Sequence, residues 1–447
     1  MIVPSNKCVL YAVLLLPAAL LAGHSATAGL MALVLYGMLC LLAAGDAWYS
    51  LSRGEAISVQ GPELVRLPVN ASGRIELTVS HPAGSKDQIE VTLGLPESIE
   101  TDQAWREVRL SGEGEASRID WPITPRRRGG YPVTECHLNR PSRLGLWRVR
   151  QVQRLTTEIR VTPDLSQDRR ILANWFLHRG RGGIHVRKQV GKGREFEKLR
   201  DYIPGDCFED IHWKATAKRG VPITKEFQIE RTQEIYLAID ASRLSGQTLR
   251  RAEADTPYAP NSLERYITAA TLFGLVAERQ GDLFGLMAFS DRVETFVRAR
   301  GGRAHLQSCQ QALLDLSPRQ VMPDYGEVFS FIRARLRRRA LVIFLTDLRD
   351  PAQADEFKGG VRLIAHHHLV LATMLEPEGA RPLFSGDPPE DLGDIYADLG
   401  GHLQWQALQK LQRTLKRARV SFQLIPQERL MVRLIDDYLS VKRRQVL

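Results

Sequence analysis

Three patterns of hydrophobic and polar residues follow one another along the chain. The first 50 residues hold two uncharged, mostly apolar runs, Cys8–Ala22 and Thr27–Gly45. From about residue 55 to residue 162, short β-rich runs alternate in polarity and are separated by Gly, Pro and Ser. From Gln233 onward, continuous apolar runs alternate with amphipathic helical segments. The chain is thus predicted to contain a membrane segment, an all-β domain and an α/β domain.

The two apolar runs predict a transmembrane helical hairpin. The second run is close to the ~20 residues that a spanning helix needs, whereas the first is shorter. Trp48 and Tyr49 follow the second run and suit a membrane interface. Lys7 and Arg53 flank the pair, while the connector around His24 lacks Lys and Arg. The positive-inside rule therefore predicts a multi-pass plasma-membrane protein with both ends and the soluble domains in the cytoplasm.

A secretory signal peptide is the alternative for the first run. Lys7, the apolar residues after it and Ala26-Thr27-Ala28 match a signal sequence with an A-x-A cleavage site. Cleavage would leave the second span, which still returns the chain to the cytoplasm. Both interpretations place the soluble part on the same side.

The all-β region predicts a small β-sandwich. Its strands are expected at Arg74–Ser80, Gln88–Leu93, Trp105–Leu110 and Thr156–Val161.

The last region predicts a doubly wound parallel sheet covered by helices on both faces. Its strands are expected at Glu234–Asp240, Leu283–Phe289, Ala340–Thr346, His367–Met374 and Val420–Ile425. Its helices are expected at Ser262–Gln280, Arg303–Leu316, Tyr325–Leu336, Leu403–Arg419 and Gln427–Lys442. In such sheets ligands bind beyond the carboxyl ends of strands, where Asp240 and Asp347 fall.

Composition adds a charge and excludes two kinds of site. The chain has 447 residues, enough for two or three domains, and a net charge of +10. This excess predicts an anionic neighbour, either nucleic acid or the inner face of a membrane. The five cysteines are scattered without a C-x-x-C, so neither a disulfide framework nor a zinc site is indicated.

The most distinctive segment lies between the two soluble regions. It reads GKGREFEKLRDYIPGDCFEDIHWKATAK from Gly191 to Lys218. This resembles the signature of the domain of unknown function 58 family, approximately G-x-E-F-x-x-L-R-x-Y-x-P-G-D-x-x-R-x-I-x-W-K-x-x-A-R. The segment departs from the signature at Glu209 and Lys218, where the family has Arg.

The resemblance extends over essentially the whole chain and implies an architecture. It implies residues 1–50 as two transmembrane helices, 51–165 as the β-sandwich, 166–232 as the linking signature segment and 233–447 as a von Willebrand A-like α/β domain. It also implies a MoxR-type AAA+ ATPase as the partner. The family has no established biochemical activity.

The resemblance further implies a divalent-ion site. Von Willebrand A domains hold Mg²⁺ with D-x-S-x-S after the first strand, a Thr from another loop and a later Asp. Asp240, Ser242 and Asp347 match this set, but Leu244 replaces the second Ser and Asp324 stands where the Thr is expected. Two interpretations stay open: a weak or absent Mg²⁺ site, or aspartates that cap loops and helices.

The signature segment has two alternative roles. Its charged and aromatic residues could form a salt-bridge network that braces the sandwich against the α/β domain, which we favour, or a docking surface for a partner. The residues concerned are Glu195, Phe196, Arg200, Tyr202, Asp206, Trp213 and Lys214.

The function we predict is a non-enzymatic, membrane-anchored scaffold or adaptor for protein partners. One alternative is a thiol hydrolase that uses Cys207 and His212, although no oxyanion-hole motif accompanies them. A second is nucleic-acid binding by the basic stretch Arg179–Arg194, which lacks interleaved stacking aromatics and is better explained by anionic lipid. The sequence has no G-x-x-x-x-G-K-[ST], so ATP hydrolysis would belong to a partner.

Overall fold

The computed structural model describes most of the chain and divides it into two compact units. The described residues are 1–14, 26–52, 57–81, 88–110, 116–179, 190–228, 233–248, 261–377, 379–383, 385, 391–418 and 420–444. The first unit is Met1–Asp164 and the second is Leu165–Leu447. The finer four-part division stays a prediction.

The described residues contain one helix that is long and apolar enough to cross a membrane. Helix α1 covers Asn6–Leu14 and helix α2 covers Ala26–Ser52. Only Gly29–Ser52, within α2, meets the requirement. The described part of the chain thus shows one candidate span rather than the predicted pair, because α1 has only nine residues and the remainder of the first run lies outside the described residues.

Two facing β-sheets form the rest of the first unit. Their strands are β1 (Ile2–Pro4), β2 (Ser58–Gln60), β3 (Leu64–Pro68), β4 (Gly73–Ser80), β5 (Gln88–Leu93), β6 (Ile99–Glu100), β7 (Arg106–Arg109), β8 (Ala116–Pro125), β9 (Gly129–Pro141) and β10 (Trp147–Thr162). One sheet has the order β1-β10-β9-β5-β7 with β3 also beside β10, and the other has the order β2-β4-β8-β6. The sheets share a core because alternate residues point inward, as Ile75, Leu77 and Val79 do on β4.

The second unit begins with a helix and a two-stranded sheet. Helix α3 (Ser166–Arg179) packs against the last helix of the chain, and its buried Asp168 accepts a hydrogen bond from Arg265 at 3.2 Å. Strands β11 (Val190–Asp201) and β12 (Ile223–Gln228) pair in antiparallel fashion. A 3-10 turn, Phe208–Asp210, and helix α4 (Trp213–Arg219) connect them.

A six-stranded sheet follows, and its strand order is β15-β14-β13-β16-β17-β18. The strands are β13 (Glu234–Asp240), β14 (Leu283–Phe289), β15 (Val293–Arg300), β16 (Ala340–Leu345), β17 (Leu369–Leu375) and β18 (Ser421–Ile425). All pairings are parallel except that of β15 with β14. The prediction of a parallel sheet therefore holds for five strands and misses the antiparallel edge strand β15, which alternates in burial and follows a short turn.

Helices cover both faces of this sheet. They are α5 (Ser262–Arg279), α6 (Arg303–Leu314), α7 (Tyr325–Arg335), α8 (Pro351–Val361), α9 (Leu392–Arg417) and α10 (Leu430–Arg444), with a 3-10 turn at Gln427–Arg429. On β13, Ile235, Leu237 and Ile239 belong to one core cluster, while Tyr236 and Ala238 belong to the other. Burial on both faces explains why the strand is continuously apolar.

Candidate functional site

The candidate site lies where the winding of the sheet reverses. Strand β13 ends at Asp240, and its neighbour β16 is followed directly by Thr346 and Asp347. From β13 the chain proceeds to β14 on one side and later to β16 on the other, which makes this edge a topological switch point. The structure thus brings together Asp240, Ser242 and Asp347 at one edge of the sheet, and we call this the strand-end crevice.

Both carboxylate oxygens of Asp240 are occupied by protein donors. The residue is fully buried. Its Oδ1 accepts the Ser242 backbone N–H at 2.8 Å, and its Oδ2 accepts the Thr346 hydroxyl at 2.7 Å. The Tyr325 hydroxyl lies 2.7 Å from the same Thr346 oxygen and extends the network. Thr346 and Tyr325 were not among the predicted site residues, although the position of Thr346 directly before Asp347 is visible in the sequence.

The Asp347 carboxylate forms an ion pair with the Arg349 guanidinium. Arg349 Nε lies 3.0 Å and 2.8 Å from the two carboxylate oxygens, and the Arg349 backbone N–H donates to Oδ1 at 3.0 Å. Arg349 Nη2, which also contacts the Asp347 carboxylate, donates to the Gln247 side chain. Arg349 is only 29% exposed and donates several hydrogen bonds to the carboxylate. Its positive charge therefore neutralises Asp347, as a bound metal ion would.

The remaining expected ligands are engaged elsewhere or absent. Asp324 caps helix α7, where its Oδ1 accepts the Glu327 N–H at 2.9 Å. Leu244 offers no oxygen ligand from its side chain. Ser245, one position later, has a buried hydroxyl with no hydrogen-bond partner among the described residues.

The described residues therefore do not fit a Mg²⁺ site. Mg²⁺ takes oxygen ligands in octahedral geometry, whereas both oxygens of Asp347 already accept the Arg349 side chain, which a cation would have to displace. Of the two interpretations left open by the sequence, the contacts favour aspartates that stabilise loops and helix ends.

Burial sets the protonation behaviour of Asp240. Removal from water raises the pKa of this carboxyl to about 6, and the nearby charge of Asp347 adds to the rise. Hydrogen bonds from Ser242 and Thr346 act in the opposite direction but do not cancel it. The crevice is thus a buried hydrogen-bonded network with an arginine at its rim.

The two residues of the alternative thiol hydrolase are not hydrogen-bonded to each other. Cys207 is exposed and precedes the 3-10 turn, while His212 Nδ1 accepts the Ala215 N–H at 3.1 Å and caps helix α4. Among the described residues no hydrogen bond joins Cys207 to His212. The side chains of the basic stretch Arg179–Arg194 lie outside the described part.

The charged pair of the signature segment holds its own turn. Arg200 donates to both oxygens of Asp206 at 2.8 Å and 2.6 Å, and Asp206 also accepts the Ile203 N–H at 3.0 Å. The Arg200 guanidinium lowers the pKa of Asp206, with the Ile203 N–H adding to the effect. These contacts shape the turn after β11, and bracing between domains stays a prediction.

The aromatic part of the signature segment faces solvent. Trp213 is 62% exposed and Phe208 71% exposed, and their ring centroids are 6.4 Å apart. Lys214 is exposed and Tyr202 is half-buried. The side chains of Glu195 and Phe196, on β11, lie outside the described part.

Comparisons with known proteins confirm the family resemblance. Residues 198–383 match the family model described as "Protein of unknown function DUF58". Uncharacterised proteins of Mycobacterium tuberculosis and Mycobacterium bovis are 25% identical over 201 residues, which cover 44% of this chain and 59% of theirs. The chain thus spans about three fifths of these curated relatives.

Solved structures resemble the chain only distantly. Proximal thread matrix protein 1 from the mussel byssus has a TM-score of 0.27 at 13% identity, covering 47% of this chain and 45% of its own. A second structure of it, with a zinc-occupied MIDAS motif, has a TM-score of 0.23 at 16% identity over 32% and 36% of the two chains. An aerotolerance-related membrane protein from Bacteroides fragilis has a TM-score of 0.28 at 14% identity, covering 46% and 98%.

The raised pKa of Asp240 predicts a specific dependence of stability on pH. Between its ordinary pKa of 3.8 and about 6, the folded protein binds the proton and the unfolded chain releases it, so stability falls as pH rises through this window. The difference between these two pKa values corresponds to about 3 kcal/mol in the free energy of unfolding. Asp240→Asn should flatten this pH dependence in urea-dependent pulse proteolysis of the α/β unit. The exposed Asp355→Asn serves as control, and equal slopes for Asp240→Asn and wild type would contradict the assignment.

The Arg349–Asp347 pair predicts how the crevice responds to divalent cations. EDTA should leave the melting temperature of the wild type unchanged. Arg349→Met, which keeps the apolar stem but removes the charge, should raise the affinity for Mn²⁺, measured by electron paramagnetic resonance of the free ion. Arg349→Lys, which keeps the charge, should behave like wild type. If the wild type binds Mn²⁺ tightly and Asp240→Asn abolishes that binding, the crevice is a metal site and our interpretation is wrong.

Proposed function

We propose that this chain, whose residues 198–383 belong to the DUF58 family, is a membrane-anchored scaffold that presents a von Willebrand A-like crevice to protein partners. The observation that carries this proposal is the internally satisfied network of the strand-end crevice. Asp240 is fully buried and bonded to Thr346, and Asp347 is bonded to Arg349, so the polar side chain that the crevice offers to a partner is the partly exposed Arg349. Such a site suits recognition rather than chemistry.

The von Willebrand A-like description is supported by strand order and by the position of the motif. The order places β13 centrally, with β15 as an antiparallel edge strand. The partial D-x-S motif begins at the last residue of that central strand, Asp240. Since Arg349 stands in for a cation at the rim, we propose that an acidic group of the partner binds Arg349 and Gln247 without a metal.

A MoxR-type AAA+ ATPase is the partner that we propose, on the resemblance alone. The chain has no P-loop motif, so the partner would supply ATP hydrolysis. The scaffold would then couple this hydrolysis to the assembly or maturation of other proteins.

We further propose that the chain crosses the membrane twice. Strand β1 pairs with β10 of the sandwich, and the Met1 amino group donates to the Arg150 carbonyl at 3.0 Å. The far end of α2 also contacts the sandwich, where Trp147 Nε1 donates to the Ala43 carbonyl at 2.7 Å. If α2 spans the bilayer, a chain held to the same domain at both ends must cross an even number of times.

The inner face of the plasma membrane is the side we propose for the soluble units. Lys7 precedes the two apolar runs and Arg53 follows them, whereas the connector between the runs lacks Lys and Arg. The unpaired state of the described cysteines is also compatible with a reducing compartment.

Charge reversal at the rim of the crevice should abolish partner capture. Tagged full-length protein would be purified from gently solubilised native membranes and analysed by mass spectrometry for an AAA+ ATPase. Wild type should retain the ATPase with and without EDTA, and Arg349→Glu should lose it. Arg338→Glu is the matched control, because this arginine is 77% exposed and precedes the amino end of β16.

Other outcomes of the capture experiment relocate or remove the interface. Retention by Arg349→Glu combined with loss in Trp213→Ala would place the interface on the signature segment instead of the crevice. Absence of an ATPase from every sample would argue against the proposed partner.

Two crossings predict opposite accessibility of two engineered cysteines. Single cysteines would be introduced at Ser25, between the two apolar runs, and at Ser58, on β2, after Cys8, Cys40 and Cys207 are replaced. A membrane-impermeant maleimide should label Ser25→Cys in intact spheroplasts and Ser58→Cys only after permeabilisation. Labelling of both from outside, or of neither, would contradict the proposed topology.

A further inference from the structure

We infer that one loop of the sandwich, Ser142–Trp147, rests on the membrane surface, with Leu144 in the interfacial layer and Arg143 at the lipid phosphates. We call this segment the seat loop. The inference rests on the membrane anchoring proposed above and adds a lipid-binding surface to the soluble domain. Its occupant is an anionic phospholipid bilayer.

The seat loop is built around the end of the apolar helix. Gly145 adopts φ 73° and its N–H donates to the Ser142 carbonyl at 2.9 Å, which closes a tight turn that favours glycine. Asp46 of α2 is buried against this turn and accepts the Ser142 hydroxyl at 2.5 Å and the Leu144 N–H at 3.1 Å. The carboxylate is thus satisfied by the loop, which holds the helix rigidly to the sandwich.

The loop also reaches towards the apolar part of both membrane-directed segments. Trp147 binds the carbonyl of Ala43, which lies three residues before Asp46 and therefore about 4.5 Å deeper along the helix. On the other side, the Ser5 hydroxyl donates to the Gly145 carbonyl at 2.5 Å, directly before α1. The seat loop therefore lies at the point where both segments leave the sandwich.

The exposed side chains around this point suit a lipid interface. Leu144 is 55% exposed and Trp48 76% exposed, and they continue the exposed apolar surface of α2 at Leu41, which is 76% exposed. Arg143 donates to the Tyr49 hydroxyl at 3.0 Å, with its guanidinium 5.3 Å from the ring centroid. Aromatic rings and arginines with apolar stems are typical of the headgroup layer.

The charges near the loop favour anionic lipid. Arg140, Arg143 and Lys7 lie at or beside the loop, and the carboxylate of Asp46 is buried beneath it. Cationic side chains next to a spanning helix are attracted to the negative surface of the inner leaflet. The exposed apolar surface of the seat loop continues that of helix α2, and this continuity, together with the charge, indicates that a bilayer covers the loop.

Depth measurements on spin-labelled full-length protein test the inference. Nitroxides would be placed at Leu144→Cys, at Leu35→Cys within α2 and at Val152→Cys on β10, in nanodiscs of phosphatidylcholine and phosphatidylglycerol. Cys8, Cys40 and Cys207 would be replaced, whereas the buried Cys136 and Cys309 can stay, because burial raises the pKa of each thiol to about 11. Power saturation with oxygen and with a water-soluble nickel chelate then reports the depth of each label.

Val152 is a matched control because it is 58% exposed but lies five residues along β10, about 17 Å beyond Trp147. We expect the labels at positions 144 and 35 to be accessible to oxygen and the label at 152 to the nickel chelate. A lipid-embedded label at 35 with an aqueous label at 144 would overturn the seat loop and leave the anchor intact. An aqueous label at 35 would overturn the anchor and with it the inference.

The phosphate contact has a separate test. Arg143→Gln should make the label at 144 shallower in discs that contain phosphatidylglycerol and should have a smaller effect in phosphatidylcholine alone. An unchanged depth in both lipids would overturn the role of Arg143.

Discussion

A carboxylate at the end of a doubly buried strand has to be satisfied by its neighbours, and this constraint organises the strand-end crevice. Strand β13 is covered on both faces, so Asp240 has no access to water at the point where the sheet reverses its winding. Thr346 and the Ser242 backbone supply the donors, and Tyr325 fixes Thr346. The loops after β13 and β16 are thereby held at one position, and Arg349 compensates the second carboxylate, Asp347.

The first unit also buries a carboxylate, that of Asp46, in its apolar helix α2. Helix α2 places the Asp46 carboxylate in a buried position against the sandwich, where it needs donors from the protein. The Ser142 hydroxyl and the Leu144 N–H of the sandwich donate to Asp46, and Trp147 donates to the Ala43 carbonyl of the same helix. In both units a buried acidic side chain next to an apolar element is fixed by donors from a distant part of the chain, and these donors lie close to the surfaces we assign to recognition.

Sequence patterns predicted the regular, buried elements well and the irregular ones poorly. Continuous apolar runs located β13, β14 and β16 to within a residue, because burial on both faces leaves little compositional freedom. The same patterns missed the edge strand β15, the helix α8 and the hairpin of β11 and β12. Strand β15 and helix α8 are partly exposed, so their hydrophobic periodicity is weak.

The sequence by itself determined which residues end the central strands, because Asp240 and Asp347 directly follow buried runs. It also determined the apolar helix, the signature segment and the resemblance to the DUF58 family. Only the tertiary structure decided what those residues do. Whether Asp347 faces a metal or Arg349, and whether Asp46 faces water or the seat loop, depends on donors brought together by packing. Local sequence patterns predict which residues are buried, but they do not predict which donor will pair with a buried carboxylate.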